Sequence, residues 1–333
     1  MRPATGPAGD PRVWYLTTGE AGTREQARGL ATALAADAEE RLVRVSRFWA
    51  MGPASLVGLG PPAVRAVTGR LEPPWPDVLV TCGRRSALVA MAIRRRNAGR
   101  MVTVHLQPPT YPKAFDLVVA MGHDRLGGAN VMRVDTALHG VRPEVLAAAA
   151  AGGDLRFAGL PRPWTGLLLG GATRRKPFKD ADAVRLMDQL DALRGRIGGS
   201  LLVTPSRRTP ATLVAALGAR YLSDQTVRIW DGQHPNPYLA ILALSDRLVV
   251  TSDSVSMISE ALATTAPVSI FRLPGGARHE RFIDNLLAKN LVAGLEASAP
   301  VSNRTSIDAT PLVADAVRRL LSAARGQPPS PRS

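Results

Sequence analysis

The chain has 333 residues, 45% of them hydrophobic and 21% charged, enough for about two globular domains and unlike a fibrous or disordered polypeptide. A net charge of +15 raises nucleic acid or an anionic membrane as partners, but all but four of the 42 basic residues are arginine. The charge is also evenly spread, 20 basic less 13 acidic residues up to position 160 and 22 less 14 beyond it. With aromatic residues at only 5%, no specific nucleic-acid partner is expected.

Residues 1–11 read as a disordered Pro/Gly/Ala leader without the apolar stretch of a secretory signal. A buried strand is predicted over 13–17, then a glycine turn and a helix over 23–36. Strands follow at 41–45 and 78–81, a helix at 83–96, and strands at 102–106 and 117–120. Short apolar runs alternating with helices predict parallel βαβ units. The Gly/Pro-rich stretch from Gly152 to Thr165 is read as the domain boundary, giving domains over 12–160 and 161–324. The alternation then resumes, with strands at 166–169, 200–204, 227–230, 247–251 and 267–271. Helices are predicted at 180–196, 210–217, 237–243, 254–264 and 279–289, before a disordered Pro/Ser tail over 325–333. The fold class expected is α/β, two doubly wound Rossmann-like domains facing a cleft.

The single cysteine, Cys82, excludes an internal disulfide framework, and the five histidines show no metal-type spacing. No apolar run reaches the ~18 residues of a membrane span. A cytoplasmic protein is expected, with no metal and no cofactor.

In open parallel sheets, ligands sit beyond the carboxyl ends of the strands, where helix N-termini present free amides. The richest such segment runs from Thr251 to Glu260, with Ser254 or Ser256 able to cap the following helix. Its amides and hydroxyls, with Met257 in the first turn, suit a diphosphate, and Glu260 is placed to reach ribose hydroxyls. Ser and Asp are also ordinary helix caps without any ligand. Two further strand ends carry related chemistry: Gly170 and Gly171 followed by Lys176, and Ser206 with Arg207 and Arg208. Asn236 and Tyr238 are candidates for gripping a base or sugar, although Asn-Pro is also a common helix start. Gly275 and Gly276 lie in a loop that could close over a ligand. Neither the Walker pattern nor the Gly-x-Gly-x-x-Gly fingerprint is present. In the first half, Glu20, His105, His123 and Asp124 fall near strand ends, and Glu20 or His105 is the expected base.

These segments resemble a known family. The carrying stretches include 13–26, Trp75-Pro76-Asp77, Gly83-Arg84-Arg85-Ser86, Gly170-Gly171, Thr204 to Pro210, Asn236-Pro237-Tyr238, Thr251 to Met257 and Pro274-Gly275-Gly276. Together they run from residue 13 to about 290, and they resemble the elongated-mitochondria fission proteins of plants and their proteobacterial relatives. That family sits in the GT-B group of two-Rossmann-domain glycosyltransferase-like proteins. The turn Gly22-Thr23-Arg24-Glu25-Gln26 departs from the family's Gly-Asp-x-x-Gln style. The resemblance implies the GT-B fold and a nucleotide-sugar ligand, with Glu260 matching the ribose-binding glutamate of GT-B transferases. The activity expected is metal-independent glycosyl transfer to a membrane lipid or envelope glycan, with attachment of the arginine-rich surface to the anionic inner membrane. The alternatives are a nucleotide-sugar epimerase and a non-catalytic interaction protein with a vestigial pocket.

Overall fold

The computed structural model describes residues 11–46, 64–152, 155–171, 178–274, 276–297 and 305–326. The expected leader and tail lie outside the described residues, apart from Pro11, Arg325 and Gly326. The chain divides into two compact units, residues 1–140 with 309–333, and residues 141–308.

The first unit is built on β1 (Val13–Thr17), α1 (Ala21–Leu34), β2 (Glu39–Val45), β3 (Val64–Ala66), β4 (Val78–Cys82), α2 (Arg84–Arg96), β5 (Val102–Leu106), β6 (Leu117–Met121) and β7 (Val131–Val134). Its seven strands lie in the order β3-β2-β1-β4-β5-β6-β7. All pairings are parallel except β2 with the edge strand β3. Strands β1, β4, β5 and β6 are buried at every position, the continuous apolar pattern of a sheet covered on both faces. Trp14, Leu16, Leu79, Val89, Ile93 and Val118 form a core on one face.

The second unit comprises α3 (Pro143–Gly152), β8 (Trp164–Leu169), α4 (Asp180–Ile197), β9 (Ser200–Pro205), α5 (Ala211–Arg220), β10 (Val227–Ile229), α6 (Tyr238–Leu244), β11 (Arg247–Thr251), α7 (Val255–Leu262), β12 (Val268–Phe271), α8 (Ala277–Ala288) and β13 (Ala293–Gly294). Its sheet is parallel throughout, in the order β10-β9-β8-β11-β12-β13. Leu167, Leu169, Leu186, Leu190, Leu201 and Phe271 fill its core. Counted within each unit, both sheets contain the order 3-2-1-4-5-6. Each therefore has one point, β1/β4 or β8/β11, where successive crossovers diverge to opposite sides and leave a crevice.

Two expectations about the boundaries are corrected. The Gly/Pro-rich stretch is not where the units part, because Phe157 is 3% exposed and packs edge-on against Trp164. Arg156 also donates to the Pro235 carbonyl at 3.1 Å, so residues 141–160 belong to the second unit. The C-terminal helix α9 (Thr310–Ala324) returns to the first. There Thr310 accepts from the His139 amide at 3.2 Å, Arg318 donates to the Ala33 carbonyl at 2.6 Å, and Val313 and Val317 are fully buried.

Candidate functional site

The β8/β11 crevice of the second unit is closed at its base by two side chains from β11 and the turn after it. Thr251 accepts the Gly170 amide at 2.8 Å, and Asp253 accepts the Gly171 amide at 2.6 Å. Both glycines are required by close approach: a methyl group at Gly170 would run into the Asp253 carboxylate, and one at Gly171 into the Arg208 backbone. Burial pushes the Asp253 carboxyl up, while hydrogen bonds from Thr251 and the Gly171 amide, with the nearby Arg208 charge, pull it down. Its Oδ1 is buried without a hydrogen-bond partner among the described residues.

The β9 turn is locked to the same corner. Thr209 donates to the Gly170 carbonyl, accepts the Ser206 amide at 2.8 Å and pairs with the Ser206 hydroxyl at 3.1 Å. Ser206 Oγ also accepts the Arg208 amide at 3.2 Å. Ser206 thus shapes the turn that projects Arg207 and Arg208, and both arginines are exposed. Lys176 and Gly275, two further expected residues, lie outside the described residues.

Ser254 is the cap of α7, accepting the Met257 amide at 3.4 Å. The helix buries Ile258, Ser259, Ala261 and Leu262 and leaves Ser256, Met257 and Glu260 half-buried. Spacings of three and four residues put those three on one face. The Glu260 carboxylate accepts the Tyr238 hydroxyl. Burial and this carboxylate together hold the Tyr238 phenol well above its ordinary range. Asn236 Oδ1 accepts the Tyr238 amide at 3.0 Å and the Thr204 hydroxyl at 2.9 Å. The β12–α8 loop is tied to the α7 turn where the Leu273 amide meets Ser252 Oγ at 2.9 Å, and Gly276 begins α8.

The structure therefore gathers Gly170, Gly171, Ser206 and Arg208 around Asp253, and Asn236, Tyr238 and Glu260 around a second knot on α6 and α7. Thr251, Asp253, Thr204 and Thr209 lie in segments that the sequence singles out, but were not among the individual residues expected to build the site. Each lies at or within four residues of the end of a strand, the signal that marked their neighbours.

In the first unit Glu20 is exposed at the start of α1, beside β1. His105 does not fit the expected role of base. It is 1% exposed on β5, with Nδ1 2.7 Å from the Thr81 hydroxyl and its ring 4.9 Å from that of Phe115. Burial pushes its pKa down to about 3, so it is a neutral core imidazole. His123 and Asp124 are also buried, with His123 Nε2 3.5 Å from Asp124 Oδ1. The strand end after β5 instead presents Gln107, at φ 76°, donating to Gln26 at 3.4 Å. No helix among the described residues is long and apolar enough to cross a membrane.

Two sheets of this strand order, each with its crevice at the carboxyl edge, define a protein of the two-Rossmann GT-B fold. Among solved structures, the chain resembles MurG from Acinetobacter baumannii (TM-score 0.51, 10% identity, 96% of each chain). It also resembles S. aureus MnaA in a co-structure with UDP (TM-score 0.50, 10% identity, 97% of this chain and 100% of that one). At such identity the likeness is one of fold. The chain belongs to the mitochondrial fission ELM1 family, whose model matches residues 21–321. The Arabidopsis thaliana mitochondrial fission protein ELM1 is 30% identical over 223 residues, 60% of this chain and 52% of that protein. The chain thus spans about half the length of that relative. The uncharacterized protein RP120 of Rickettsia prowazekii is 22% identical over 252 residues, 65% of this chain and 71% of that one.

Proposed function

We propose that the second unit binds a nucleoside-diphosphate sugar and that the protein transfers the sugar to an acceptor. The observation that carries this reading is the start of α7 at the β8/β11 crevice, where Thr251 and Asp253 pin the strand end at Gly170 and Gly171 beside it. A helix start carries about half a positive charge and unpaired amides, and the close packing of Gly170 on Asp253 and of Gly171 on Arg208 fixes the strand end beside it. Ser256 and the amides of α7 would hold that diphosphate, Glu260 the ribose, and Asn236 and Gly276 the flanks of the base and sugar. As the glycosidic bond breaks, Arg207 and Arg208 would meet the charge developing on the leaving diphosphate; no metal or cofactor is part of this reading. Glu20, exposed at a strand end of the first unit, is the base we propose for the acceptor hydroxyl. A membrane lipid or envelope glycan fits as acceptor, with the +15 charge favouring an anionic surface.

The first test is a thermal-shift screen with nucleoside diphosphates and their sugar conjugates. A ligand at 100 times its Kd should stabilise the protein by about 2.7 kcal/mol, and Glu260→Ala should abolish the shift without unfolding the chain. Donor turnover that rises with an added lipid or glycan acceptor would support transfer. Turnover indifferent to acceptor would point to epimerisation instead. Wild-type melting unmoved by every nucleotide would sink both, leaving an interaction protein. Salt-sensitive sedimentation with phosphatidylglycerol vesicles tests the membrane proposal separately.

A further inference from the structure

The start of α2, at the first unit's own β1/β4 crevice, carries two cations that nothing in the fold explains. Arg84 and Arg85 occupy its first turn, both exposed, and among the described residues neither side chain makes a hydrogen bond or an ion pair. A helix start is already the positive end of the helix dipole, so cations there are unfavourable unless an anion joins them. The first turn holds no acid, and the cap, Gly83 at φ 92°, has no side chain to take an amide. Ser86, the hydroxyl of that turn, is turned back onto the Cys82 and Gly83 carbonyls at 2.6 and 2.8 Å. A separate observation points the same way. Gln26 on α1 is 7% exposed, and its head lies at the ends of β4 and β5, where its Oε1 takes the Cys82 thiol at 3.9 Å and the Gln107 side-chain amide at 3.4 Å. Its Nε2 has no acceptor among the described residues, a costly state for a buried amide donor. Thr23, one turn before Gln26, lies 3.7 Å from where a methyl group on Gly83 would be. Residues three apart share a helix face, so Gln26 sits on the side of α1 that meets the start of α2.

We propose that the first unit binds a phosphate monoester at the start of α2, held by Arg84, Arg85, the uncapped amides of the first turn and Gln26 Nε2. A guanidinium fork matches phosphate oxygens two at a time. A monoester presents three strong acceptor oxygens, which two forks, the helix amides and a side-chain amide can satisfy together, whereas a carboxylate has only two to offer. This site stands apart from the donor corner of the second unit. Only its meaning for the reaction rests on the transfer reading, within which it makes the acceptor a phosphorylated molecule.

The experiment is arginine modification of the full chain by phenylglyoxal, read peptide by peptide by mass spectrometry, with and without glycerol 3-phosphate or vesicles containing phosphatidic acid. At ten times its Kd the ester should slow modification of Arg84 and Arg85 about tenfold by mass action, and leave Arg96 and Arg100, beyond the other end of the cluster, unprotected. Protection mainly by glycerol 3-phosphate assigns the site to a soluble ester, and protection mainly by the vesicles assigns it to a lipid; either supports the proposal. Gln26→Glu keeps the shape and trades two donors for a carboxylate, and it should weaken protection at least about tenfold. If that variant does not fold, Gln26→Met, uncharged and without donors, is read in the same way. Arg207→Gln with Arg208→Gln, at the donor corner, should leave the protection of Arg84 and Arg85 unchanged. No protection by either probe, equal protection of Arg96 and Arg100, or protection that survives the Gln26 change overturns the proposal. A chain that shows the protection but binds no nucleotide keeps this site and loses the donor reading alone.

Discussion

At Gly171 the backbones of two strand ends meet with no room for a side chain, since a methyl group would run into the Arg208 backbone. Gly171→Ala should therefore force the β9 turn outward, costing about 1–3 kcal/mol in stability by urea melting and removing the nucleotide-induced thermal shift. A stable variant with an intact shift would show that the corner is not the phosphate site. His105 makes a separate prediction. Its imidazole is neutral in the fold down to about pH 3 but protonates near 6.5 when unfolded. Below 6.5 the unfolded chain then binds the extra proton. Stability is fully present above that pH and falls as the pH drops towards 3, by at most about 1.4 kcal/mol per unit. His105→Gln should lessen the slope of unfolding free energy against pH between 6.5 and 4. The string from Thr251 to Glu260 was legible in the sequence because hydroxyls crowd directly behind an apolar strand. The burial of His105 was not, because a histidine within a strand reads alike whether its face is covered or open. The Tyr238–Glu260 contact was equally hidden, since a 22-residue separation carries no periodic signal.

At the level of elements, the alternation of strands and helices was readable because parallel strands must be apolar along their whole length. The owner of α9 was not. The expected elements end at residue 289, and the apolar stripe of Val313, Ala314, Val317 and Leu321, buried in the structure, does not say what it covers. The structure gives it to α1 and β5, beside the His139–Thr310 contact. Val317→Asp puts an unpaired carboxylate at a fully buried position and should destabilise the first unit by about 3–5 kcal/mol. The second unit's melting should be unchanged, which differential scanning calorimetry can separate if the two units unfold in distinct steps. The misplaced boundary has a similar cause: Gly and Pro usually mark linkers, but Phe157 and Trp164 turn this Gly/Pro stretch into part of a core.

For the molecule as a whole, the division at 140/141 and 308/309 makes a direct prediction about fragments. A polypeptide of residues 141–308 carries its own core and should melt cooperatively, and it should keep the nucleotide shift if the donor site lies wholly within it. A fragment starting at 161 lacks α3 and Phe157 and should melt at a lower temperature or not cooperatively. Comparing the two by circular dichroism tests the boundary directly. The order of synthesis follows from the same connectivity. As the chain leaves the ribosome, the second unit is a contiguous segment that is complete once residue 308 has emerged, while the first, though begun earlier, still lacks α9. Domains generally fold as units during synthesis, the N-terminal one first; this connectivity predicts the reverse order, with the nascent first unit exposing the apolar bed of α9 until residues 310–324 have emerged.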